Sequence, residues 1–272
     1  MLILFLLSSI IHQDTTLILK PTEKAFKVKI ILTGEVSILK GKSGKIRIRR
    51  DYPDSLKEEF KIISKKGEID IGFLQDSVEI ENYEIKKEKG KWKVGIGGDT
   101  VGRCWKDIKP LKFKIWLPKD ISLDLRIWLG QSKNDIELGG LRIKRLDYNL
   151  GMGEGKVSFK KENRETMDNA YFNIFGAKLK IEKLGNANSE KVEINGGVAK
   201  LKLDLGGKWK KESEIELSFA LGNVGIKAPK ELKIATEKEG IVNLDFPKLS
   251  SKDPRVRLCL KGAFNLLDFE RY

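Results

Sequence analysis

LDLRIWLGQSKNDIEL (residues 123–138) carries the pattern on which this chain is built. Leu123, Leu125, Ile127 and Leu129 alternate with Asp124, Arg126 and Trp128, a glycine interrupts at Gly130, and a second short alternating run follows. Period-two alternation marks a half-buried strand. The phrase returns as LDYNLGMGEGKVSF (146–159), AYFNIFGAKLKIEK (170–183), VEINGGVAKLKLDL (192–205) and IELSFALGNVGIKA (215–228). A chain that repeats one strand–turn–strand unit builds its core by stacking units.

The glycines read as turns fall at Gly130, Gly151, Gly176, Gly197 and Gly222, at intervals of 21, 25, 21 and 25 residues. That length suits a β-solenoid rung or a rung-like hairpin stack, and is about half of what a propeller blade needs. Outward positions are charged (Lys178, Lys180, Glu182; Lys200, Lys202, Asp204), which also discourages edge pairing. After Lys227 prolines interrupt the repeat at Pro229, Pro247 and Pro254, and Val256–Leu260 with Ala263–Phe269 reads as a closing rung.

Upstream, Val28, Ile30 and Leu32, then Ile46 and Ile48, alternate with polar residues around turns at Gly34 and Gly44. Similar runs lie at 60–63, 69–73, 78–85 and 91–96, and Leu111, Phe113, Ile115 and Leu117 share one face. Only DSLKEEF (54–60) has helical character. The expected fold is all-β: stacked short strands of β-solenoid type with an N-terminal β extension. The expected divisions are a signal-like segment at 1–19, a β region at 20–109 and a repetitive stack with a cap at 110–272.

Charged residues make up 34% of the 272, against 40% apolar, with a single His and an abundance of Lys and Glu. This is a heat-adapted composition, in which charge networks replace thermolabile residues. The net charge of +14 admits nucleic acid, anionic lipid or an acidic polymer as partner. Nucleic acid is disfavoured, because lysines alternate with glutamates along the chain and no recognition helix, RNA-binding aromatic motif or zinc-finger spacing occurs. An anionic envelope polymer, a membrane surface or a protein remains, and an open end of such a stack could pair with a second copy.

Leu2 to Ile11 is apolar apart from Ser8 and Ser9, too short to span a bilayer and similar to the apolar core of a secretory signal. The basic flank and a small-residue cleavage site are missing, so the alternatives are export and a buried first strand of a cytoplasmic protein. Cys104 and Cys259 are too few for a disulfide scaffold and match no zinc spacing. One disulfide in an exported chain and two unrelated thiols are both open.

The stretch 110–159, with LGMGEGKVSF (150–159) and more loosely LGQSKNDIEL, FGAKLKIEKL and LGNVGIKA, resembles the toast-rack family. That family includes the C-terminal region of LiaF-type cell-wall-active antibiotic response proteins and related "putative adhesin" repeat domains of bacterial envelopes. The resemblance implies a non-enzymatic role at the cell envelope, with no catalytic residues to carry over.

Chemistry is sparse. GIGGDTVG (95–102) and GMGEG (151–155) lack the Lys-Ser/Thr and helix of a phosphate cradle and read as turns needing positive φ. The pairs Asp135/Glu137 and Glu214/Glu216 evoke enzymes that cut acidic polysaccharides on β-solenoids, but lysines surround them and no histidine base is near. No catalytic residue, cofactor or metal is expected. An intracellular interaction module is the third reading. Trp116 and Trp128 are out of phase with their apolar neighbours and point away from the core, where Lys114 and Arg126 would suit an anionic ligand. Packing under another segment is the plainer alternative.

Overall fold

The computed structural model describes residues 10–19, 25–53, 60–73, 83–88, 91–96, 111–239, 249–251 and 253–272. Among these, the strands form one long sheet and a separate hairpin, with a single 3-10 turn at Leu184–Ala187 and no longer helix.

The stack consists of β9 (Ser122–Glu137), β10 (Arg142–Ser158), β11 (Met167–Glu182), β12 (Ser189–Asp204), β13 (Ser213–Ala228) and β15 (Val256–Arg271). Consecutive members pair in parallel and nearly in register. A straight strand of that length would span roughly 50 Å, at about 3.3 Å per residue. Yet residues 138–141, which reach at most about 18 Å, return the chain from Glu137 to Arg142 beside Ser122. Each strand must therefore double back, and the burial pattern marks where. In β9 the buried positions are odd up to Leu129 and even from Ser132, with Gly130 and Gln131 both exposed between them. Each rung thus has a first arm, a corner and a second arm, closed by a connector.

Of the two readings, the β-solenoid rung is the one seen: Gly130, Gly151, Gly176 and Gly222 lie inside continuous strands without positive φ, as does Gly197, so the rung bends at a corner within the strand rather than at a tight turn. Gly153 does sit at φ 109, where an added Cβ would come 2.1 Å from the carbonyl oxygen of Ser132. There the glycine is required by sterics.

The arms close on an apolar interior containing Leu125, Ile127, Leu146, Phe172, Ile194, Leu217 and Leu258 from first arms and Ile136, Val157, Ile181, Leu203 and Ile226 from second arms, all buried. Tyr148, fully buried in the first arm of β10, donates its hydroxyl proton to Asn134 Oδ1 in the second arm of β9 at 3.0 Å. Burial raises the Tyr148 pKa, against a smaller opposing effect of the Asn134 hydrogen bond. A raised folded-state pKa means that stability is full below the free tyrosine value near 10 and falls as pH climbs above it, by about 1.4 kcal/mol per unit. Tyr148→Phe should cost about 1 kcal/mol at pH 8 through the lost hydrogen bond. By pH 11 the gap to wild type should close or reverse, as read from urea midpoints at the two pH values.

The N-terminal part completes the stack. β2 (Phe26–Lys40) pairs in parallel with β9 along both arms. Beyond it the layer forks. β5 (Glu68–Phe73) continues the first arm and β8 (Lys112–Leu117) the second. β4 (Phe60–Lys65) pairs antiparallel with β5, while β3 (Lys45–Pro53) and then β1 (Ile10–Ile18) extend the β8 side. β1 is fastened to β3 by Gln13, which accepts from Arg50 and Tyr52, and by Asp14 with Arg47. The part of the signal-like segment that is described is therefore a sheet strand; residues 1–9 lie outside the described residues, as do 54–59, Cys104 and the phrase 97–102. β6 (Tyr83–Glu88) and β7 (Lys91–Ile96) form the separate hairpin. At the far end β14 (Ile234–Glu239) pairs only with the first arm of β15.

Candidate binding surfaces

Trp116 and Trp128 lie on different arms. Trp116 stands beside Leu39 in the second arm of β2, and Trp128 beside Ile31 in the first. The structure therefore keeps Trp116 and Lys114 together, and Trp128 and Arg126 together, but does not merge the two pairs.

The face of the Trp116 ring is occupied by cations: Arg47 at 5.2 Å, Lys114 at 5.3 Å and Arg49 at 5.9 Å from its centroid. Asp14 on β1 pairs with Arg47 and, at 3.5 Å, with Arg49. The hydrogen bond from Arg47 holds the Asp14 carboxyl below the ordinary carboxylate range. β1 thereby fixes the two arginines that cover this tryptophan.

Trp128 begins a different arrangement. Along the outer face of the first arms the register runs Trp128, Asn149, Asn173, Asn195, Ser218, Lys261. The three asparagines form a ladder: Asn173 Nδ2 donates to Asn149 Oδ1 at 2.8 Å, and Asn195 Nδ2 to Asn173 Oδ1 at 3.1 Å. They are half-buried, and Trp128 Nε1 is buried with no acceptor among the described residues. Beside this row runs a second: Arg126, Asp147, Tyr171, Glu193, Glu216. An open groove of about 620 Å³ follows the amide row and is lined by Asn173, Asn195, Ser218, Phe219 and Lys261, with Phe175 at its margin. Sequence reading concentrated on the tryptophans and missed this ladder. Its signal was present, because each asparagine holds the same place before the corner in LDYNLG, AYFNIFG and VEINGG.

The carboxylate pairs serve the scaffold. Glu137 accepts from the backbone N–H of Gly139 at 2.8 Å and of Lys160 at 3.0 Å, and from the Ser158 hydroxyl at 2.8 Å, so it caps connectors. Glu216 pairs with Lys261 at 3.3 Å. Among the described residues no group of His, Cys, Asp and Glu is arranged to hold a metal ion. Cys259 is a free thiol 3.9 Å from a Glu237 carboxylate oxygen, and burial together with Glu237, Glu214 and Glu216 pushes its pKa up. A raised pKa lowers its thiolate fraction and hence its reactivity.

Residues 20–171 match the family model described as "N-terminal domain of toast_rack, DUF2154". Solved structures of similar strand architecture include a "putative adhesin" from Bacteroides fragilis NCTC 9343, with 15% identity, TM-score 0.45 and 97% of each chain covered. A "putative cell adhesion protein" from Clostridium sporogenes ATCC 15579 has 14% identity and TM-score 0.39, covering 96% of this chain and 100% of its own. The search of curated proteins returns no match.

Proposed function

The chain belongs to the toast-rack N-terminal domain family, and on that footing we propose that it is a non-catalytic binding and scaffold protein of the cell envelope that holds a hydroxyl-rich polymer along its first-arm face. The observation that carries this reading is the asparagine ladder Asn149–Asn173–Asn195, of which Asn173 and Asn195 line an open groove. Rungs repeat every ~4.8 Å. The ladder thus presents regularly spaced amide donors and acceptors to an extended ligand, and one ladder bond per step leaves each amide spare hydrogen-bonding capacity. Trp128 at one end and Tyr171 in the adjacent row offer ring faces of the kind that pack against sugar rings. The carboxylates nearest the groove are paired with lysines, Glu193 with Lys191 at 2.7 Å and Glu216 with Lys261, which supports holding the ligand rather than cleaving it.

The test is affinity electrophoresis of the whole chain through gels containing soluble peptidoglycan fragments or a neutral glucan. Retardation without release of reducing ends is expected in at least one. Asn173→Ala with Asn195→Ala should weaken binding about tenfold, since two hydrogen bonds of about 0.5–1.5 kcal/mol each are removed. Mobility unaffected by either polymer would remove the ligand class, and retardation insensitive to the double substitution would remove the site.

A further inference from the structure

The corners of the rungs carry a second surface. Met152, Phe175, Val198 and Leu221 lie at the corners of β10, β11, β12 and β13, and are 46%, 37%, 66% and 43% exposed. Leu266, 55% exposed, follows the corner of β15. These five are most of the seven large apolar side chains exposed among the described residues. Register sets Val198 directly beside Leu221, while Met152 stands beside Gly176, one residue past Phe175. Scattered surface hydrophobes need no explanation, but one recurring at the corner of each successive rung does. Four rungs at ~4.8 Å make an apolar ridge roughly 15 Å long.

Just past the ridge, on the second arms, lysines stand side by side. Lys178 pairs laterally with Lys200, and Lys180 with Lys202. Like charges directly opposite on neighbouring strands are destabilising. Lys178 and Lys180 are offset by Glu154 at 2.9 Å and Glu182 at 2.6 Å. Lys200 and Lys202 have no carboxylate partner among the described residues, and the next rung offers them Asn223 and Gly225. A charge-neutralising partner outside the chain would relieve this arrangement.

An apolar edge bordered by unneutralised lysines is the pattern of an interfacial membrane contact, in which apolar side chains enter the headgroup–acyl boundary and long cationic ones reach the phosphates. We propose that this ridge seats the protein on an anionic lipid bilayer, with the stack axis lying along the membrane surface. Val198 and Leu221 are the deepest groups, and Lys200 and Lys202 bind headgroup phosphates. The inference does not rest on the polymer reading: Phe175 borders both surfaces, but Val198, Leu221, Lys200 and Lys202 lie outside the lining of the amide groove, and the vesicles used below contain no glycan.

The experiment is co-sedimentation of the full chain with vesicles of phosphatidylcholine alone and of phosphatidylcholine with about one third phosphatidylglycerol. Wild type is expected to pellet with the anionic vesicles at low salt, at least tenfold more strongly than with the neutral ones, and to be released as salt rises. Val198→Asp with Leu221→Asp should lower binding at least tenfold while circular dichroism and melting temperature hold, since both side chains are exposed. Lys200→Glu with Lys202→Glu should remove the preference for anionic lipid. Failure to pellet with anionic vesicles, or binding indifferent to both variants, would overturn the proposal. So would a concentration-dependent dimer that the Val198→Asp, Leu221→Asp variant dissolves, because a second copy would then cover the ridge.

Discussion

Replacing Phe172 by alanine is expected to destabilise the protein by about 3–5 kcal/mol, the usual range for deleting a buried aromatic ring. Phe172 is fully buried in the first arm of β11, its ring centroid 5.9 Å from that of Tyr148 on the preceding rung, and Ile194 follows it in register on the next. In-register backbone pairing on both sides keeps neighbouring rungs from collapsing into the void, so the cost should lie toward the upper end. Denaturant unfolding measures it, and hydrogen exchange locates it: protection should fall most in β10, β11 and β12, because a stacked fold couples each unit chiefly to its neighbours. A loss below about 1 kcal/mol would mean that the arms do not close on this ring.

The second large effect is expected at a polar residue. Asn163 is fully buried in the connector after β10. Its Oδ1 accepts from the Ile143 backbone N–H at 2.9 Å, and its Nδ2 donates to the carbonyls of Ile143 and Glu165, each at 2.7 Å. Ile143 sits where the register between β9 and β10 slips, so the side chain supplies pairing at an irregularity of the ladder. Asn163→Ala strands the buried N–H and carbonyl of Ile143, at about 1–3 kcal/mol each before relaxation, while the part-buried Glu165 carbonyl keeps the Asn188 Nδ2 donor at 3.2 Å. A loss of about 3 kcal/mol or more is expected, against almost none for Asn223→Ala on the exposed face. Equal melting temperatures for these two variants would sink the assignment.

Strand class, stacking and repeat length were legible from the alternation of Leu123, Leu125, Ile127 and Leu129 and its four returns. The handling of the glycines was not. Alternation reports which side of a strand is wet, but a corner that flips the buried phase by one position looks in sequence like a turn, and only the four-residue connector 138–141 distinguishes a folded-back rung from a hairpin. Trp116 and Trp128 are half-buried between fully buried neighbours, which the alternation shows. Their separation onto different arms depends on the corners in β2 and β9, which periodicity cannot see. The asparagine ladder was visible as a column once the repeats are aligned, and was passed over because isolated asparagines near glycines read as loop residues. Asn163 and Glu137 left no signal at all: their roles arise from connectors of unequal length that meet only in the folded stack.

The stack also has a mechanical side. β1 lies at one end of the sheet and β15 near the other, with β14 covering only the first arm of β15. Tension applied between the two ends runs along the stack and pulls adjacent rungs apart, loading the ladder hydrogen bonds of the outermost rung before those inside. Such a column yields by peeling, one coil at a time, and each freed coil of some 22 residues pays out roughly 70–80 Å of slack. A protein that tethers a polymer or a surface through this fold would thus behave as a graded tether, lengthening in steps under load while the remaining coils keep their grip.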